Sequence, residues 1–253
     1  MSALQFFIKL RKIIRYDFAR MIIHKLISQH LKGGDDPNFY TMQAEDAVLW
    51  LERWGVVFKA DTTVLDLGCG HGIFGNALAK RGCQVTFADE YNILLPELAK
   101  SRFLQVNIDT DDLAPLGAYD VVICSNVYEH LSRPDSLLKN VSKILKPGGK
   151  LFLSWTNWLS PWGGHEFSPF HYLGAGRGHL IYDKFAKRPR NHTPYKNLFP
   201  TYIGDTLKKI RAIPGLRVVK IAPRYYPEFA LLMHLPIVRE FLAWNCAVVI
   251  VKD

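Results

Sequence analysis

The sequence feature that most constrains the fold is a glycine-rich turn between an apolar segment and a helical pattern. Residues 64–67 (VLDL) predict a buried strand, and three glycines spaced two positions apart follow it, Gly68, Gly70 and Gly72. Apolar residues then recur at helical spacing from Phe74. Glycine allows a positive φ, and its missing Cβ lets a ligand approach the backbone closely. The stretch therefore predicts a strand–turn–helix unit that binds a ligand at the turn.

Two acidic positions narrow the kind of ligand. Asp66 precedes the first glycine, where a fixed negative charge disfavours a diphosphate but attracts the ammonium group of an amino acid moiety. Asp89 and Glu90 end the next predicted strand, residues 84–88, about 20 positions further along the chain. A carboxylate in that place can accept hydrogen bonds from both hydroxyls of a ribose. The two acids together favour a nucleoside that carries an amino acid.

The pattern Asp66-x-Gly68-x-Gly70-x-Gly72 resembles the first motif of the class I S-adenosylmethionine-dependent methyltransferases. The resemblance implies a methyltransferase with S-adenosyl-L-methionine as its cofactor. A nicotinamide or flavin site is the alternative, because Gly70-x-Gly72-x-x-Gly75 also fits GxGxxG, but that register moves the glycine turn past Asp66.

The resemblance also implies cofactor contacts outside the turn. A segment upstream of the first strand folds over the cofactor in this family, and Tyr40 is the candidate there, with a core aromatic as the alternative. An acidic residue after the third strand contacts the adenine amino group, which implicates Asp109, unless it is an ordinary loop carboxylate. The expected cofactor-binding residues are Tyr40, Asp66, Gly68, Cys69, Gly70, Gly72, Asp89, Glu90, Asp109, Thr110 and Asn126.

Strand and helix patterns alternate from Thr62 onward, which predicts an α/β fold with a parallel sheet covered on both faces. The last two strands have no long helical crossover between them, so they are expected to be antiparallel. We predict a single Rossmann-like domain with a seven-stranded, mostly parallel sheet and an antiparallel last strand. The predicted strands are 62–67, 84–88, 103–106, 119–125, 150–155, 216–221 and 247–251; the predicted helices after Thr62 are 73–81, 92–100, 133–145, 202–212 and 236–243.

Residues 156–201 form a connection far longer than the ~2–6 residues usual between a strand and a helix, which predicts a lid over the substrate side of the pocket. His165 and His171 in this segment are candidate general bases, because imidazole titrates near neutral pH. Glu129 and His130 follow the fourth strand and are further catalytic candidates, or they order the turn. The side-chain types of His165, Glu166 and His171 suit a metal, but no spacing signature accompanies them, so no metal is predicted.

Residues 1–34 predict a basic amphipathic helix that precedes the domain at 35–253. Seven basic residues and one acidic residue in positions 1–32 supply most of the net charge of +9. Such a helix fits a membrane interface, a partner subunit or the protein's own domain, and Asp17 on its apolar side counts against lipid. The scattered cysteines and the missing membrane-spanning run predict a cytoplasmic protein, with the inner face of the membrane as a second expected location and an oligomer left open.

The expected reaction is O-methylation of a small-molecule, glycan or lipid-linked acceptor by in-line methyl transfer. Residues 155–173 also resemble, more weakly, bacterial methyltransferases associated with cell-envelope polymers. The alternatives are methylation of RNA or protein through the basic N-terminal arm, and a binding protein of the same fold without catalysis. The segment from Asn126 lacks the Asn/Asp-Pro-Pro-aromatic and Pro-Cys patterns of two groups of nucleic-acid methyltransferases, which makes nucleic acid the weaker alternative.

Overall fold

The computed structural model describes residues 22–33, 37–187 and 189–253. Seven strands form one sheet in the order β3-β2-β1-β4-β5-β7-β6, and the ends of the central parallel strands carry the candidate site. The strands are β1 (Thr63–Leu67), β2 (Gln84–Asp89), β3 (Arg102–Gln105), β4 (Tyr119–Ser125), β5 (Leu145–Thr156), β6 (Leu216–Pro223) and β7 (Asn245–Lys252).

The described residues place helices on both faces of this sheet. The strands β1, β4 and β7 are almost wholly buried, and β5 is buried from Leu151 to Trp155, as expected for strands covered on two sides. Two apolar clusters, one on each side of the sheet, make up most of the core. The helices are α1 (Ile23–Gly33), α2 (Pro37–Arg53), α3 (Ile73–Ala79), α4 (Pro134–Ile144), α5 (Ala175–Asp183), α6 (Ile203–Arg211) and α7 (Pro236–Leu242).

The predicted strand directions are confirmed. Strand β1 pairs in parallel with β2 and β4, and β4 pairs in parallel with β5. Strand β7 is antiparallel to both β5 and β6. The reversal of strand order at β1 and β4 therefore lies where the glycine turn leaves β1, which is the position at which open α/β sheets bind their ligands.

The predicted helix at 92–100 is wrong. Only a short 3₁₀ helix, Pro96–Leu98, forms there, because Pro96 occupies the first helical position and Leu95 before it is extended at φ −55° and ψ 148°. A residue that precedes proline is sterically pushed out of the helical region. Strand β5 begins at Leu145, five residues before the start of the strand predicted at 150–155.

The long connection after β5 is a folded segment. It contains 3₁₀ helices at His165–Phe167 and Phe170–Leu173, followed by α5. A small apolar core of its own joins Trp158, Phe167 and Ala175 to Leu198. This apolar core gives the inserted segment a packed structure of its own.

The amphipathic part of the predicted N-terminal helix, residues 1–21, lies outside the described residues. The described continuation, α1, packs against α2 and buries Leu26. In the described ranges, no helix combines the length and the apolar character needed to cross a membrane.

Candidate active site

The glycine turn after β1 is held in a conformation that only glycine adopts easily. Gly68, Gly70 and Gly72 have φ values of 74°, 50° and 77°. A Cβ at Gly68 would lie 2.4 Å from Cγ2 of Val127, so this position is closed by packing. A Cβ at Gly70 would have no described heavy atom within 4 Å. Gly70 therefore presents its backbone to open space, as a ligand-binding turn requires.

Two carboxylates fix this turn from opposite sides. Asp66 is buried, and its Oδ2 accepts a hydrogen bond of 2.8 Å from the backbone N–H of Gly75 at the start of α3. Burial, more than the nearby Asp89, raises the pKa of Asp66 to about 7. At the end of β2, Oδ2 of Asp89 accepts a 2.8 Å hydrogen bond from the N–H of Gly70, and Oδ1 accepts one of 2.7 Å from Glu90.

A cavity of about 1100 Å³ extends from the glycine turn to the inserted segment. It reaches the upper end of the ~300–1,000 Å³ typical of small-ligand pockets, which is enough for a cofactor and an acceptor together. Ile23, Leu26 and Ile27 of α1 also line it. Of the expected cofactor residues, those that line it are Tyr40, Asp66, Gly68, Cys69, Gly70 and Asn126.

The other expected cofactor residues do not line this cavity among the described residues. Asp89 and Glu90 lie beside it at the end of β2, and Gly72 leads into α3. Asp109 contacts the start of α4 instead: its two oxygens accept hydrogen bonds of 2.9 Å from the N–H groups of Ser132 and Arg133. The hydroxyl of Thr110 donates to Asp111. These contacts favour the alternative of a structural loop carboxylate over adenine binding.

A polar network around Asn126 forms one wall of the cavity. Asn126 directly follows β4 with φ 57°, and its Oδ1 accepts hydrogen bonds from Arg224 at 3.0 Å and from Asn245 at 2.8 Å. Arg224 is 3% exposed and also donates to the hydroxyl of Ser154. Burial lowers the pKa of Arg224, and its Nε has no hydrogen-bond partner among the described residues. Its position directly after β6 was the one sequence signal for this residue, and we did not predict it.

The far end of the cavity gathers three of the four predicted catalytic residues. Glu129, His130 and His165 all line it. Oε1 of Glu129 accepts a 2.8 Å hydrogen bond from the N–H of Thr156, whereas Oε2 is buried with no partner in the described chain. Burial, with smaller contributions from His130 and His192, lowers the pKa of His165 to about 3. Burial therefore favours the neutral form of this ring, and the role of His165 as a general base stays a prediction.

The fourth predicted catalytic residue, His171, lies away from the cavity. It is 1% exposed, and its Nε2 is 3.0 Å from the carbonyl oxygen of Ser160. Its ring packs edge-on against Trp158 in the core of the inserted segment. The geometry gives His171 a structural role, because the fold of the insertion turns the ring inward.

His192 and Glu166 complete this end of the cavity, and neither was predicted to be a catalytic residue. Nδ1 of His192 lies 2.8 Å from Oε2 of Glu166. Burial alone would raise the pKa of Glu166, but hydrogen bonds from His192 and from backbone N–H groups hold it at about 2. Two tryptophan rings, Trp162 and Trp244, also line the cavity with centroids 4.7 Å apart. Aromatic surfaces beside polar groups suit a ring-shaped or hydroxylated acceptor.

Comparison with known proteins supports the methyltransferase family that the glycine turn and the sheet order indicate. A family model described as a methyltransferase domain matches residues 40–219, more than half of the chain. A protein of Mycobacterium bovis strain BCG named "uncharacterized methyltransferase" is 33% identical over 234 residues, covering 85% of this chain and 88% of that protein. A protein of the same name from Mycobacteroides abscessus is 30% identical and covers 84% of this chain and 86% of its own length.

A solved structure has the same fold at much lower sequence identity. It is a putative S-adenosylmethionine dependent methyltransferase from Listeria monocytogenes, 19% identical, with a TM-score of 0.54. The match covers 83% of this chain and 99% of that one.

Proposed function

This chain belongs to the S-adenosylmethionine-dependent methyltransferases, and from that premise we propose that it methylates a hydroxyl oxygen of a small-molecule, glycan or lipid-linked acceptor. The observation that supports this proposal is the continuity of one cavity. The glycine turn lies at one end of it, and Glu129, His130 and two tryptophan rings lie toward the other.

The residues at the glycine turn fit the cofactor. The open backbone at Gly70 provides room that a Cβ would fill, and the buried Asp66 supplies a carboxyl group beside the turn for an ammonium group. Asp89 lies at the end of β2 beside the cavity, and each of its oxygens can accept a further hydrogen bond, as a carboxylate that binds ribose hydroxyls needs. When bound, S-adenosyl-L-methionine supplies a methyl group activated by the positive charge of its sulfur.

The chain's own task is to place the acceptor in line and to take up one proton. Glu129 is the group best placed for the proton, because its Oε1 is fixed by the N–H of Thr156 while its Oε2 has no partner among the described residues. His130 is held next to it by a 2.7 Å contact between Nδ1 and the carbonyl oxygen of Asn197. Trp162 and Trp244 pack against each other at the cavity and offer aromatic surface to the body of the acceptor.

Two measurements test this proposal. Calorimetry with S-adenosyl-L-homocysteine should show binding, and incubation with radiolabelled cofactor and a panel of hydroxylated acceptors should transfer label to an oxygen. Glu129→Gln should retain cofactor affinity and lose transfer by at least about 100-fold, the lower range of a lost proton acceptor. Label transferred to nitrogen or carbon, or unchanged turnover in Glu129→Gln, would contradict the assignment of the acceptor atom and of the base.

The membrane and nucleic-acid expectations rest on the charge of the N-terminal arm. We propose contact with an anionic membrane surface, supported by the aromatic and basic residues of positions 4–21 in the sequence. Full-length protein should co-sediment with anionic liposomes, whereas a chain that begins at Asp35 should not. Binding to RNA that weakens steeply with added salt would instead favour the RNA alternative.

A further inference from the structure

Three imidazole rings from separate parts of the chain meet at the acceptor end of the cavity. His130 comes from the 3₁₀ helix after β4, His165 begins a 3₁₀ helix of the inserted segment, and His192 lies near the end of that segment. One nitrogen of each ring lies within 4.8 Å of one nitrogen of the other two. The ring centroids are 5.3 Å apart for His130 and His165, 5.1 Å for His130 and His192, and 4.5 Å for His165 and His192.

Hydrogen bonds fix the tautomer of two of these rings. Nδ1 of His130 lies 2.7 Å from the carbonyl oxygen of Asn197, which can only accept, so Nδ1 donates its proton. Nδ1 of His192 donates in the same way to the carboxylate of Glu166. In a neutral imidazole this leaves Nε2 with a free lone pair. A ring whose other nitrogen donates to a carbonyl or carboxylate is the usual arrangement of a metal-binding histidine.

The third ring, that of His165, has a nitrogen that makes no hydrogen bond to the described residues. Nδ1 of His165 is buried without a hydrogen-bond partner among the described residues. The backbone of His165 has φ 48°, in the left-handed region that residues other than glycine seldom adopt. A buried polar atom without a partner costs free energy, and so does a less favourable backbone conformation. His165 combines the two features, and its ring lies beside two other imidazoles.

We propose that His130, His165 and His192 bind one divalent transition-metal ion, with Glu166 orienting His192 from the second coordination shell. Neutral imidazole is a preferred ligand of Zn²⁺, Co²⁺, Ni²⁺ and Cu²⁺, whereas Mg²⁺ and Ca²⁺ prefer oxygen. The cluster supplies three nitrogen ligands and no oxygen in the first shell. Zn²⁺ is therefore the best match to this ligand set.

Three protein ligands leave a coordination position for water or another oxygen, as in catalytic zinc sites. All three histidines line the cavity, so that position is accessible from the space assigned to the acceptor. A metal there would lower the pKa of an acceptor hydroxyl group. This use of the ion rests on the proposed function, whereas binding of the ion rests on the three histidines alone.

The test compares two variants in the cluster with one outside it. His165→Asn removes an imidazole while asparagine tolerates the left-handed backbone, and His192→Gln removes a second one. His179→Asn is the control, because His179 lies in the same insertion but bonds to the carbonyl oxygen of Ala175 within α5. Protein stripped with a chelator is titrated with Zn²⁺ in a calorimeter and with Co²⁺ in a visible spectrophotometer.

Wild type and His179→Asn should each bind one equivalent of Zn²⁺. With Co²⁺, both should develop the visible absorption band of an ion that has few ligands and is bound through nitrogen. His165→Asn and His192→Gln should lose the band and bind Zn²⁺ at least about tenfold more weakly, and Glu166→Gln should weaken binding about 10–100-fold. Circular dichroism of each metal-free variant verifies folding, and His130→Gln replaces any variant that fails to fold.

Stoichiometric binding that is unchanged in His165→Asn and His192→Gln would overturn the proposal, as would a wild type that binds no Zn²⁺. Affinity for S-adenosyl-L-homocysteine is measured on the same samples. Retained cofactor affinity without metal binding would refute the metal site alone, whereas metal binding without cofactor affinity would refute the proposed function alone.

Discussion

Asp66→Asn should gain stability relative to the wild type as pH rises from 5 to 8, because the buried carboxyl group of Asp66 resists ionisation. Its pKa is raised from 3.8 to about 7, chiefly by burial. Between these two values the folded state holds a proton that the unfolded state has released, so the free energy of unfolding falls as pH rises. The asparagine side chain has no charge, and its oxygen can still accept the hydrogen bond from Gly75.

The magnitude follows from the pKa difference. Each pH unit over which the native state holds one additional proton lowers the free energy of unfolding by about 1.4 kcal/mol. From pH 5 to pH 8 the wild type therefore loses about 2.7 kcal/mol that Asp66→Asn does not lose, most of it below the folded-state pKa of about 7. The difference between variant and wild type should grow by that amount between pH 5 and pH 8, whatever the packing cost of the substitution.

Urea unfolding at pH 5 and pH 8 measures this difference, with Asp120→Asn as the control. Burial would raise the pKa of Asp120, but hydrogen bonds from Lys146 and Thr63 outweigh it and hold the pKa at about 2. Its stabilisation is lost only as pH falls below 3.8 toward 2, so Asp120→Asn should differ from wild type equally at pH 5 and pH 8. If the difference in the free energy of unfolding between Asp66→Asn and wild type is also the same at pH 5 and pH 8, the reasoning is refuted.

Further substitutions separate packing from ligand binding. Gly68→Ala should lower the free energy of unfolding by about 1–3 kcal/mol in thermal melts, because the new Cβ lies 2.4 Å from Cγ2 of Val127 at φ 74°. Gly70→Ala should cost only about 1 kcal/mol, yet it should weaken S-adenosyl-L-homocysteine at least about tenfold in calorimetry, because the Cβ enters the ligand space. Asp109→Asn should destabilise the protein by about 1 kcal/mol, since two backbone N–H groups lose a charged acceptor. A tenfold loss of affinity for S-adenosyl-L-homocysteine would instead support the predicted contact of Asp109 with adenine.

The sheet and the cofactor end were predictable because their signals are local. The glycine turn, Asp66 and Asp89 all lie within two neighbouring strands and the turns that follow them, so spacing alone indicates their relation. Alternating periods of two and 3.6 residues then give the order of the elements. The helix predicted at 92–100 does not form for an equally local reason, since Pro96 excludes Leu95 from the helical region.

The acceptor end could not be predicted from spacing. His165 and His171 are close in the sequence, and both are of a catalytic type, but the small core around Trp158 turns one ring into the cavity and buries the other. Arg224 and His192 carried no motif, because each reaches the cavity only when the sheet and the insertion fold. Side-chain direction within an irregular segment depends on packing, which the sequence pattern does not encode.

This contrast has a chemical reason. A turn that binds the constant part of a cofactor is made from contiguous backbone, and backbone geometry shows itself in glycine spacing. An acceptor site is made from side chains that converge from distant parts of the chain, such as Glu129 from the 3₁₀ helix after β4 and His192 from the insertion. Exchange of residues 156–201 should therefore alter the acceptor while the glycine turn keeps its cofactor. The contacts described above for the turn come from Asp66, Asp89 and Val127, which all lie outside the insertion.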